Sequence, residues 1–392
     1  MFTGVLDTVR NPDLHVGPGN LAGWNQPDRR RKGFHGLHAL SRYDMGVRAP
    51  DVLVLRKSID RRIGDLPSVR RLTGATPFSA MAVVRGQSVL YEAYAPDFGP
   101  DRPHTLQSIS KTTMNLVFGR MVDDGKVVLN RRVRDYVPEI GSGYAEATVQ
   151  QVLDMDVTNN FNEDYSDPYE VSRLGATVGY GRQEIAMGWR LPPPGEPNFA
   201  MRDFLCTLTS DDVTNPGGET QYHSPNTDLL GWIAERAGGR SLRTLLIDIA
   251  VAAGVEGMFR VGTDAEGVPI VSGGIFLTAR DLCRYGLLFA RNGVGVHGEC
   301  VGSARFIDAT RGGRGTRPPP PRQSLRYSNQ TNTNGRWIGH GGYGGQYMLA
   351  DPETGVVVAF FSVLEDDDAS DDTYHPEIIA MAEDVVRLVE AG

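Results

Sequence analysis

Two apolar stretches near opposite ends of the chain constrain its fold most. FSAMAVVRGQSVLYEAYAP, from Phe78 to Pro96, reads as two strands turning around Arg85-Gly86-Gln87. GGQYMLADPETGVVVAFFSVL, from Gly344 to Leu364, reads as two more around Asp351-Pro352-Glu353-Thr354-Gly355. Hairpins so far apart can share one antiparallel sheet if the intervening chain leaves the sheet and returns. The final residues place Ile378, Ile379, Met381, Ala382, Val385, Val386 and Val389 at helical spacing, so a C-terminal helix is expected to pack on that sheet.

The stretch from about Val127 to Gly239 is helix- and loop-rich with few strand signals. The expected fold class is therefore α+β, an antiparallel sheet flanked by helices with an inserted, mostly helical domain. Residues 1–126 and 240–392 are expected to form the α/β body and residues 127–239 the insertion, with a cleft between them for a ligand. The first ~75 residues, rich in Arg, Gly and Pro, read as an arm that wraps the body.

With 392 residues, 40% of them hydrophobic, the chain can bury a sizeable core. A formal charge of −8 gives a nucleic-acid partner no support from the chain as a whole. The basic runs Arg29–Lys32 and Arg311–Arg322 are read as solvated loops, and the acidic run Glu365–Asp372 likewise. Three cysteines, Cys206, Cys283 and Cys300, are expected to be reduced and buried. No cofactor or metal is expected, because no H-E-x-x-H or clustered ligand set occurs. No apolar segment reads as a signal peptide or a membrane span, so a cytoplasmic protein without a membrane partner is expected.

Of 40 basic side chains only four are lysines, Lys32, Lys57, Lys111 and Lys126. One of them stands in TLQSISKTTMNLVFGRMVDDG, from Thr105 to Gly125, which is read as a helix from Ser108 to Asp124. Residues three apart share a helix face, so Ser108 and Lys111 are neighbours while Ser110 points about 100° away. A serine hydroxyl is a weak nucleophile until a base takes its proton. A lysine can be that base if desolvation lowers its pKa, whereas an arginine stays protonated. A lone S-x-x-K is a weak signal that reads equally as an N-cap beside a surface charge, so it needs partners.

Two further stretches offer them. In GGETQYHSPNTDLLGWIAERAGG, Ser224 reads as an N-cap and Pro225 as the first helical residue, which leaves Tyr222 just ahead of a helix. A phenol there can pass a proton beside a Ser–Lys pair. In RWIGHGGYGGQYMLADP, from Arg336 to Pro352, glycines allow close backbone approach, and exposed N–H groups could stabilise an oxyanion.

In this order and at these separations, Ser108-Ile109-Ser110-Lys111, Tyr222-His223-Ser224-Pro225-Asn226 and His340-Gly341-Gly342 resemble the serine β-lactamase and penicillin-recognising family, most of all its class C-like esterase branch. NLAGWNQPDRRRKGFHGLHAL (Asn20 to Leu40) and VLDMDVTNNFNEDYSDP (Val152 to Pro168) look like stretches of the 6-aminohexanoate-dimer, or nylon-oligomer, hydrolases. The resemblance implies a β-lactamase/transpeptidase-like fold. It implies Ser108 as nucleophile, Lys111 as general base and Tyr222 as proton relay, with the backbone N–H groups of Ser108 and Tyr343 as oxyanion hole. It also implies substrate contacts from Tyr165, His340, Gly342 and Ser272, Tyr165 being able to hydrogen-bond an amide leaving group. His340 replaces a family lysine that attracts the penicillin carboxylate, so weak β-lactam turnover is expected. The expected partner is a small ester or amide substrate, with an acyltransferase and a non-catalytic penicillin-binding-like module as alternatives. Oligomeric state is left open, a homodimer included.

Overall fold

The computed structural model describes residues 23–36, 40–163, 178–366 and 373–392. Its main sheet has eight strands: β1 (Arg56–Lys57), β2 (Phe78–Arg85), β3 (Ser88–Tyr94), β4 (Arg326–Ser328), β5 (Thr331–Thr333), β6 (Ile338–Gly342), β7 (Gln346–Asp351) and β8 (Val356–Ser362). Their order across the sheet is β4-β5-β6-β7-β8-β2-β3-β1. The two hairpins meet where β8 pairs antiparallel with β2, Val356 opposite Arg85 and Ala359 opposite Ala82. The sheet is thus closed by strands from the two ends of the chain, as the sequence pattern requires.

The longer helices include α1 (Thr113–Asp123), α2 (Pro225–Gly238), α3 (Ala279–Ala290) and α4 (Tyr374–Glu390). Alternate side chains of β2 and β8 face opposite cores. Met81, Val83, Val358 and Phe360 pack with Ile378, Met381, Val385 and Val389 of α4. Ala82, Val84, Val357 and Ala359 belong to the larger core with Leu282, Leu287 and Phe289 of α3. Both faces of these strands are buried, which explains why VVVAFF is apolar at every position rather than at alternate ones. The apolar positions predicted for the C-terminal helix are all buried in α4.

Between residues 127 and 239 the described residues form short helices at Ser142–Ala145, Val149–Leu153, Tyr180–Ala186 and Met201–Thr207, then α2, with two two-residue strands, Phe161–Asn162 and Val178–Gly179. One core runs through this stretch and the body, since Leu116 and Val117 of α1 cluster with Leu229, Leu230 and Ile233 of α2. A second, four-stranded sheet orders Tyr43–Val47, Phe259–Thr263, Ile275–Leu277 and His104–Thr105. Its last strand leads directly into the turn that carries Ser108. No helix among the described residues is long and apolar enough to cross a membrane.

Three expectations need correction. Arg29–Lys32 is not a solvated loop but part of a helix, Pro27–Phe34, in which Arg30 is fully buried. Its guanidinium donates to the carbonyls of Leu364 and Asp366 at 2.8 and 2.6 Å and to Asn25 Oδ1 and O, both at 2.8 Å. Those acceptors replace water, which is what lets an arginine be buried. Arg311–Arg322 is not uniformly solvated either, since Arg311 pairs with Glu353 at 2.5 Å and Arg322 lines a cavity. Of the three free cysteines only Cys283 is buried; Cys206 is half-buried and Cys300 exposed. Most of Glu365–Asp372 lies outside the described residues.

Candidate active site

Ser108 sits on a 3₁₀ turn, Gln107–Thr112, that runs on into α1. The sequence suggested one continuous α-helix; the tighter turn instead brings residues three apart into eclipse. Lys111 Nζ accordingly lies 3.1 Å from Ser108 Oγ. Ser110 turns the other way, and its Oγ accepts the Ile275 N–H at 3.2 Å. Gln107, immediately before Ser108, holds a left-handed φ of 46°, a strained conformation for a residue with a side chain.

Lys111 is fully buried and directs its three donors to Ser108 Oγ, to Ser224 Oγ at 2.9 Å and to the Ser272 carbonyl at 2.7 Å. Burial lowers its pKa to about 8, while the charges of Glu163 and Asp228 hold it up. Asp228, on α2, accepts the N–H groups of Val271 and Ser272, both at 3.1 Å, and burial raises its own pKa to about 6. It therefore fixes the segment whose carbonyl receives Lys111.

Ser224 precedes α2 but makes no side-chain cap. Its hydroxyl and its backbone N–H both donate to the Glu163 carboxylate. The capping role expected of Ser224 gives way to this stronger, charge-assisted pair. A continuous hydrogen-bonded chain results, from Ser108 through Lys111 and Ser224 to Glu163.

Tyr222 flanks Ser108 on the cavity wall, close enough for the serine to bear on its phenol. Lys111 Nζ stands 5.1 Å from the centroid of its ring. Burial raises the phenol well above its ordinary pKa, so Tyr222 is neutral. His340 stacks edge-on to Tyr327, with ring centroids 5.6 Å apart. Its Nδ1 lies 2.6 Å from the Gly341 carbonyl and its Nε2 3.3 Å from the Tyr327 hydroxyl. This network assigns the proton to Nδ1. Burial and the nearby Lys111 lower the pKa of His340 to about 3, so it carries no charge at neutral pH.

Gly342, the last residue of β6, lies hard against the turn that precedes Ser108. A Cβ at this position would stand 2.5 Å from the Leu106 carbonyl. The glycine therefore permits the approach that puts Gly341–Gly345, Ser108, Tyr222 and His340 around one cavity of about 250 Å³. Tyr343 lines the same cavity, and its hydroxyl accepts from Asn25 Nδ2 at 3.1 Å.

Ser108, Lys111, Tyr222, His340, Gly342 and Tyr343 thus come together. Ser272 does not line the cavity: it is buried behind Lys111, where its carbonyl is what matters. Tyr165 lies outside the described residues. Reading the sequence missed Glu163 and Asp228 altogether and took Ser224 for a cap. The available signal was position, because Ser224 stands two residues after Tyr222, where class C enzymes carry the asparagine of Y-x-N. Among the described residues no group of three or more His, Cys, Asp or Glu side chains is placed to hold a metal ion.

The beta-lactamase family model matches residues 59–383. The chain belongs to the beta-lactamase family. This beta-lactamase-family hydrolase is 32% identical over 376 residues to the 6-aminohexanoate-dimer hydrolase of Paenarthrobacter ureafaciens, covering 92% of each chain. A Bacillus anthracis protein described as a candidate 6-aminohexanoate-dimer hydrolase superposes with a TM-score of 0.79 at 20% identity, over 98% of this chain and 99% of the other. EstCE1, a hydrolase with promiscuous acyltransferase activity, superposes with a TM-score of 0.56 at 13% identity, over 82% and 97%. These likenesses bear out the β-lactamase/transpeptidase-like fold expected from the sequence.

Proposed function

We propose that this hydrolase cleaves small carboxylic esters, and short linear amides such as 6-aminohexanoate oligomers, through an acyl-enzyme on Ser108. The observation that carries the reading is the buried Lys111, 3.1 Å from Ser108 Oγ, with a pKa lowered to about 8. Its neutral form takes the Ser108 proton as Oγ bonds to the acyl carbon. The negative charge that develops on the carbonyl oxygen falls to the N–H groups of Ser108 and Tyr343. Tyr222, neutral and beside Ser108 on the cavity wall, passes the proton to the departing alkoxide or amine. Water then repeats the sequence on the acyl-enzyme, releasing the acid and restoring Ser108. The relative at 32% identity supports the amide half of this reading. A cavity of about 250 Å³ suits a substrate smaller than the drug-sized ligands of roughly 300–1,000 Å³ sites.

Burst release from p-nitrophenyl butyrate, with a fluorophosphonate adduct on the peptide carrying both serines, tests the proposal. Ser108→Ala should abolish burst and adduct, and Ser110→Ala should retain both. Lys111→Arg keeps the charge but removes a usable base, so acylation should fall about 10²–10⁴-fold. Labelling that survives Ser108→Ala would overturn the assignment. A flat trace from folded native protein would favour a module that only binds. Transfer of the butyryl group to an added amine or alcohol in preference to water would identify an acyltransferase.

A further inference from the structure

Beyond Ser108 and Tyr222 the cavity reaches an arginine. Arg322 lies on the loop before β4 and lines the cavity. Its charge lies close enough to act on Tyr222, His340 and Tyr347, which line the same cavity. The hydrogen bonds of Arg322 among the described residues are made by its backbone, whose N–H donates to the Pro319 carbonyl at 3.0 Å and whose carbonyl accepts from Leu325 at 3.0 Å. Its side chain has no hydrogen bond or ion pair among the described residues. Arg314 and Arg326 are likewise without a side-chain partner among the described residues, but neither lines the cavity, and other arginines are paired. Arg311 pairs with Glu353 at 2.5 Å, and Arg336 with Asp351 and Glu390, both at 2.9 Å.

The surroundings favour an anion. No aspartate or glutamate is among the described residues lining the cavity. Lys111 already spends its three donors on protein acceptors, and His340 is neutral, so neither offers a free cation. Tyr347, 2% exposed, brings a second polar group into the same cavity. Its hydroxyl lies near the Asn332 side chain but has no hydrogen bond of proper geometry. Pro318, Pro319 and Leu325 supply apolar walls beside Arg322, which reduce the screening of its charge.

We propose that Arg322 and Tyr347 form an anion subsite that takes the carboxylate of a small substrate whose ester or amide carbonyl lies at Ser108. A planar guanidinium presents paired donors that match the two carboxylate oxygens, and an unpaired one in a concave site raises the local concentration of anions. This inference rests on the hydrolase reading for the position of the carbonyl, but the subsite is testable without turnover. The favoured substrates are then half-esters of short dicarboxylic acids, or amides whose amine part ends in a carboxylate.

Two measurements separate the subsite from the chemistry. In titration calorimetry, glutarate should bind the native protein, and Arg322→Gln should weaken it about 10-fold or more, the scale of one charge-assisted contact. Arg322→Lys should restore part of the affinity, and Tyr347→Phe should weaken binding less than Arg322→Gln does. In turnover, the kcat/KM ratio of mono-p-nitrophenyl glutarate to its methyl ester should exceed one and fall about 10-fold in Arg322→Gln. Absence of glutarate binding, or equal binding by native protein and Arg322→Gln, overturns the subsite. Glutarate binding that depends on Arg322, with neither ester cleaved, leaves the subsite standing and removes the hydrolase reading instead.

Discussion

Burial and charge pull on Lys111 in opposite directions. Burial takes its pKa down, and the carboxylates of Glu163 and Asp228 bring it partly back, leaving it at about 8. Below that pH Lys111 is protonated and cannot accept a proton from Ser108. We therefore expect kcat/KM for a neutral ester to rise with pH and to level off above about 8. Glu163→Gln keeps an oxygen to accept from Ser224 but removes the carboxylate charge that raises the lysine pKa. The rising limb should then move to lower pH. A pH–rate profile in which it moves the other way, or stays in place, would show that Glu163 does not act on Lys111. At this scale the sequence was legible where chemistry is local. Spacing alone favoured Ser108 over Ser110, and the scarcity of lysine drew attention to Lys111. Glu163, Ser224 and Asp228 were hidden because their relation to Lys111 exists only across the folded chain.

Elements were legible in proportion to their own periodicity. The β2–β3 and β7–β8 hairpins and α4 carry apolar patterns long enough to identify them. The edge strand β4 and its neighbour β5 do not, because Arg-Tyr-Ser and Thr-Asn-Thr are short and polar and are stabilised by pairing rather than by apolar burial. The 3₁₀ turn at Gln107–Thr112 was read as α-helix because six residues cannot distinguish a period of 3.0 from one of 3.6. What no periodicity reveals is how elements dock, and here β6 docks on the Ser108 turn through Gly342. In Gly342→Ala the new methyl must displace the Leu106 carbonyl, 2.5 Å from its ideal position. A shift of that kind at Ser108, the proposed nucleophile, is worth on the order of 10² in rate. Acylation by p-nitrophenyl butyrate should therefore drop about 10²-fold while circular dichroism stays native. Native acylation rates in Gly342→Ala would mean that this close approach does not set the position of Ser108.

Across the whole molecule, a charge of −8 says nothing about where individual cations go, and Arg30 shows the consequence. The run Arg29–Lys32 looks solvated in sequence, yet its second residue is buried and ties the helix Pro27–Phe34 to the chain after β8 through Leu364 and Asp366. The same arginine holds Asn25, which in turn donates to Tyr343 at the cavity. The described helix Pro27–Phe34 is thus fastened to the body, and through Asn25 it braces Tyr343 as well. Arg30→Met keeps much of the volume but strands several buried acceptors, at a cost of roughly 2–4 kcal/mol. The melting temperature should fall, and acylation of Ser108 should slow because Tyr343 loses its support. Arg29→Met is the control: its side chain is 56% exposed and meets Asp28 only at 3.9 Å, so stability should change by no more than about 0.5 kcal/mol. If thermal unfolding of Arg30→Met matched that of Arg29→Met, the buried guanidinium would not be what fastens the arm, and its reach to Tyr343 would have to come from the apolar contacts of Trp24 and Phe34 instead.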